Sequence, residues 1–89
     1  MDQMKYELGF RKGLQESRYA DNIEDITIPE VDNSSFESIG YADGVDYGIY
    51  LIRAGMKYAI KEENLIAVID KGFMRACEKV ENNNVKKHI

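Results

Sequence analysis

Asp43 and Asp46, with the tyrosines around them, come closest in this chain to a catalytic constellation. Three residues apart in a helical pattern, two aspartates share a face, and such a pair divides acid and base roles when burial separates its pKa values. Nothing in the sequence builds a pocket around them. Arg53 and Lys57 fall on the same face, so the pattern reads first as a charged, solvated surface. Cys77 has no neighbouring base to make it a nucleophile, and it falls with Leu65, Ile69 and Phe73 on one apolar arc, which predicts a buried structural thiol. His88 is the only histidine and stands in a polar stretch, and the acidic run Asp21-Asn22-Ile23-Glu24-Asp25 lacks the spacing and central glycine of a calcium loop. The expectation is a protein that is not an enzyme, with no catalytic residues, no cofactor and no metal site.

Gly48-Ile49-Tyr50 resembles the opening triplet of the GIY-YIG nuclease family. That resemblance implies a small α/β domain with a second Tyr-Ile-Gly triplet, a catalytic arginine and a metal-binding glutamate. The later stretch here reads Lys57-Tyr58-Ala59-Ile60, without the second triplet, so the match ends before the residues that carry the family's chemistry.

Binding chemistry has more to work with. Lys71, Arg75 and Lys79 recur every four residues along one edge of a helical arc, the arrangement a phosphate backbone contacts when the second helix of a helix-turn-helix enters the major groove. Glu78 interrupts the stripe, and the net charge of −4 works against general attraction to nucleic acid. A DNA-binding regulator is therefore the first alternative, and a small hydrolase or nuclease with a site at a subunit interface is the second.

Glycine spacing is the most informative pattern. Gly9 and Gly13 lie four apart, as do Gly40, Gly44 and Gly48, and Gly55 extends the series. The segments Leu8-Gly9-Phe10-Arg11-Lys12-Gly13 and Ile39-Gly40-Tyr41-Ala42-Asp43-Gly44 share one plan, in the manner of a short internal repeat. An interior helix glycine costs about 0.8–1 kcal/mol relative to alanine, which is large beside a total stability of about 5–15 kcal/mol. A stripe of them implies a compensating close approach of two helices, either within the chain or at an interface.

These residues need helices to position them. Tyr6, Phe10, Leu14 and Ser17 stand three and four apart and predict helix 1 over about residues 3–20. The periodicity fails over 21–35, where Pro29 blocks a helix and Ile26-Thr27-Ile28 suits a short extended stretch. Ser34 and Glu37 have capping-box spacing and predict helix 2 over about 35–60. Helix 3 is expected over about 62–81, with Asn82-Asn83-Asn84 marking its exit and a loose tail over 82–89. The fold class expected is all-α, a small three-helix domain with a partly extended connector between helices 1 and 2.

With 89 residues, 44% hydrophobic and 31% charged, the chain has a folding composition and the size of a single domain over 1–89. No apolar run reaches the roughly 20 residues of a membrane span, and a lone cysteine forms no internal disulfide, which together predict a cytoplasmic protein without membrane contact. Met4, Leu8 and Tyr19 form a second apolar strip on helix 1, away from its glycines. A helix apolar on two sides predicts a protein partner, with a homo-oligomer as the leading case. The function expected is regulation, inhibition or adaptation through protein–protein binding, of the kind an accessory protein of a mobile element performs.

Overall fold

The computed structural model describes residues 2–20, 22–56 and 60–87. Three α-helices carry the fold: α1 (Asp2–Tyr19), α2 (Phe36–Arg53) and α3 (Glu62–Lys87). A 3-10 turn at Ile23–Asp25 is the one other helical element among the described residues, which include no strand. The fold is therefore all-α, as the periodicities predict. Beyond the 3-10 turn, Ile26 is extended (φ −84°, ψ 116°) without pairing in a sheet.

Contacts at the glycines set the helix directions. A Cβ added to Gly9 would collide with the Glu37 carbonyl oxygen, one on Gly13 with that of Tyr41, one on Gly40 with that of Tyr6, and one on Gly44 with that of Phe10. Positions rise together along both helices, so α1 and α2 run parallel. The contacts are also reciprocal: the offset that carries Gly9 onto Gly40 carries Tyr6 onto Glu37, Gly13 onto Gly44 and Phe10 onto Tyr41. The repeated glycine segments are thus the two halves of one seam, related by a pseudo-twofold axis along the helices. One step further along, the same offset pairs Ser17 with Gly48, and the buried Ser17 hydroxyl fills the space that Gly48 leaves while donating to the Leu14 carbonyl at 2.9 Å.

This contact explains why so many interior glycines are tolerated. At Gly9, Gly13, Gly40 and Gly44 the Cα–H that stands where a side chain would be points at a carbonyl oxygen of the facing helix. Such contacts contribute about 0.5–1 kcal/mol each, which is close to the helix-propensity cost.

α3 packs antiparallel to α1, since Gln3 bonds Asp70 at 3.1 Å near one end and Arg11 pairs with Glu62 at the other. Its seam is built of side chains. Leu65, Ile69 and Ala76 are buried against Tyr6, Phe10, Leu14, Ile39 and Leu51, with Phe36, Phe73 and Val80 packed at the margin. Tyr6 ties all three helices together: its ring crosses Gly72 of α3, and its hydroxyl donates to Asp43 Oδ2 of α2 at 2.7 Å.

Several boundaries depart from the expected ones. Helix 2 stops at Arg53 rather than near Ile60. Gly55, at φ +70°, adopts the left-handed conformation that ends a helix, with Gly55 N–H bonded to the Ile52 carbonyl at 3.1 Å and Met56 N–H to that of Leu51 at 2.8 Å. Gly55 is exposed and meets no other helix, so it does not belong to the packing stripe. The start of α2 also shifts by one residue. Ser35, not Ser34, is the cap and accepts from Ser38 N–H at 3.2 Å, because Ser34 is engaged with the Asp32 carboxylate. α3 continues through Asn82-Asn83-Asn84 to Lys87 rather than fraying after Glu81. Val80 packs on the core and Asn83 is half-buried, which outweighs the modest helix cost of asparagine, about 0.7 kcal/mol at most. The expectations for Lys57, for His88 and for the last residues of the tail lie outside the described residues.

Candidate functional site

On α1, the face away from the glycine seam is the first candidate. Tyr6, Gly9, Phe10, Gly13, Leu14 and Ser17 are all buried, which commits one side of the helix to the fold. At 100° per residue Met4, Leu8 and Tyr19 lie on the opposite side. They are 62%, 61% and 76% exposed, uncovered by the other described residues. Lys5 and Lys12 border this strip on one flank, Arg11 and Arg18 on the other. The acids of α1 turn elsewhere: Glu7 accepts from Arg11 at 3.0 Å, and Glu16 accepts from the Tyr41 hydroxyl. On a chain of net charge −4, the outward side of α1 is thus a basic and apolar surface.

A cleft of about 440 Å³ opens at one end of this face, between α1 and the start of α3, lined by Leu14, Arg18, Tyr19, Glu62 and Leu65. Arg11 closes one wall, bridging Glu7 and Glu62. The bond to Glu62 raises the Arg11 pKa most, and the same contact lowers that of Glu62. Arg18 differs. Its Nε is buried and donates to no acceptor, the one such side-chain atom among the described residues. An N–H withheld from water without a partner costs about 1–3 kcal/mol.

A second cleft, of about 410 Å³, lies between α2 and α3 and is lined by Asp43, Asp46, Tyr47, Arg75 and Lys79. Asp43 is not the purely solvated residue the sequence pattern suggests: it is half-buried and accepts from Tyr6. Helix α2 has two neighbours, α1 at its glycines and α3 on the flank that carries Asp43. Burial, the bond to Asp43 and that carboxylate's charge push the Tyr6 hydroxyl far above the ordinary tyrosine range, against a smaller opposing effect of Arg75. A tyrosine so held keeps its proton and acts as a fixed donor. Desolvation likewise raises Tyr47, with Arg18 opposing.

The structure divides the basic stripe of α3. Arg75 and Lys79 face Asp43 and Asp46 across the second cleft, while Lys71 is exposed outside it. Two acids directly opposite two cations dilute the positive field that phosphates require. Moreover, α3 runs in the opposite sense to α1, and hence to α2. Cys77 is exposed, contrary to the expected buried thiol, because the buried arc of α3 runs through Leu65, Ile69, Gly72 and Ala76 and leaves residue 77 outside.

Gly9, Gly13, Gly40, Gly44 and Gly48 all lie in the seam between α1 and α2. Gly72, which stands outside the spacing of four, is the place where Tyr6 passes. Among the described residues no group of three or more His, Cys, Asp or Glu converges on one point, and no helix is long and apolar enough to cross a membrane. No family model, curated protein or solved structure matches the chain.

Proposed function

We propose that this chain is a small non-catalytic binding protein, regulatory, inhibitory or adaptor in kind, which acts by docking the outward face of α1 on another protein chain. The observation that carries this reading is the exposure of Met4, Leu8 and Tyr19 on a helix whose other side is wholly used by the fold. Three large apolar side chains on one helix face, flanked by cations, have the make-up of a helix surface recognised by protein. Burying each would contribute about 1.5–3 kcal/mol, in sum of the same order as the cost of association, so the surrounding charged side chains must add to the contact.

The test is affinity capture from the native cell with mass-spectrometric identification, using the wild type and Leu8→Asp side by side. A defined protein, or a second copy of the chain, is expected on the wild type and lost on the variant. The same proteins on both baits would remove this face from the function. Nucleic acid held by the wild type and released steeply by salt would favour the DNA-binding alternative.

A further inference from the structure

We infer that the surface received by the outward face of α1 is the acidic connector of a second copy of the chain, in a reciprocal pair; this rests on the reading of that face as a protein contact. The two surfaces are complementary in charge and in polarity. Among the described residues Lys5, Lys12 and Arg18 take part in no ion pair, while Glu24, Asp25 and Glu30 of the connector stand exposed. The connector also presents apolar side chains of its own, Ile28 at 70% and Val31 at 44% exposure, to set against Met4, Leu8 and Tyr19.

Chain geometry allows the exchange to be mutual. The connector packs at Asp25, Ile26 and Thr27 beside Glu16 and Tyr41, along the α1–α2 seam. The start of the acidic segment thus lies beside the last turn of α1, at Glu16, Ser17 and Ala20. Two copies related by a twofold axis set each patch against its complement and close the assembly at a dimer. No helix or strand involves residues 27–31, so seating the segment on a helix surface breaks no secondary structure. A connector carboxylate entering the cleft at Arg18 would meet the guanidinium of a residue that takes part in no ion pair among the described residues.

The experiment is a charge exchange read by light scattering. In one variant Lys5→Glu and Lys12→Glu reverse α1; in the other Glu24→Lys and Glu30→Lys reverse the connector. The wild type is expected at twice the mass of the chain, and each variant alone at the mass of one chain, with helical circular dichroism retained. Mixed, the two variants should pair again, because both contacts of the mixed dimer join opposite charges while both homodimers oppose like ones. High salt should weaken the mixed pair as it weakens the wild type. A monomeric wild type overturns the inference, as do variants that stay dimeric alone or a mixture that stays monomeric. If that monomeric wild type still captures a different protein through Leu8, the wider reading stands and only this inference falls. If Leu8→Asp captures the same proteins, both fall.

Discussion

Tyr6 is the residue in which most of the structure meets. Its ring lies across Gly72, 6.0 Å from the rings of both Phe10 and Phe73, and its hydroxyl holds Asp43. Removing that hydroxyl in Tyr6→Phe leaves the packing in place and deprives Asp43 of one donor, a loss of about 1 kcal/mol. The pH dependence is the sharper measure. Folding raises the Tyr6 pKa, whereas the unfolded chain ionises near pH 10, so its contribution is complete below about pH 10 and declines as pH climbs beyond it. In urea melts the stability gap between wild type and Tyr6→Phe should therefore shrink as pH rises past about 10. A gap that holds constant to pH 11 would show that the hydroxyl is not withheld from ionisation. Little of this was legible in the sequence: Tyr6 reads as one more apolar residue of helix 1, and Asp43 as a surface acid. Their bond joins positions on different helices, and no local spacing encodes it.

At the scale of elements, the glycine seam was the most legible feature, because interior glycines are unfavourable in a helix and their spacing of four puts them on one face. What spacing could not show was direction. The same stripe serves a parallel or an antiparallel partner, and the parallel pairing emerges from the contacts of Gly9 with Glu37 and Gly40 with Tyr6. Gly55 shows the limit of periodicity, since it continues the series in number yet acts as a helix stop. The seam predicts a hard steric threshold. In Gly44→Leu the new side chain meets the Phe10 carbonyl and, within 3.0 Å, the Leu14 nitrogen, both backbone atoms that cannot retreat without moving a helix. A loss of about 3 kcal/mol or more is expected in chemical denaturation. An unchanged midpoint would mean that α1 and α2 are not held at backbone contact.

For the molecule as a whole, the account divides α1 between two tasks. Its inner side makes the fold with α2 and α3; its outer side, basic and apolar, is the surface proposed to bind another chain. The sequence exposed that division because Met4, Leu8 and Tyr19 fall too far around the helix from Gly9 and Gly13 to share one contact. It did not reveal the cleft at Arg18, which forms where the end of α1 meets the start of α3, nor the way Glu7 and Glu16 are drawn aside by Arg11 and Tyr41. The most direct test of the division is to measure mass and thermal unfolding on the wild type and Leu8→Asp together. Light scattering should give a dimer for the wild type and a monomer for the variant. The variant should keep its helical circular dichroism and, once dilution has removed the dimer's contribution, a stability within about 0.5 kcal/mol of the wild type, as for surface substitutions generally. A wild type that is already monomeric, with a Leu8→Asp variant that unfolds, would place this strip inside the fold and contradict the account.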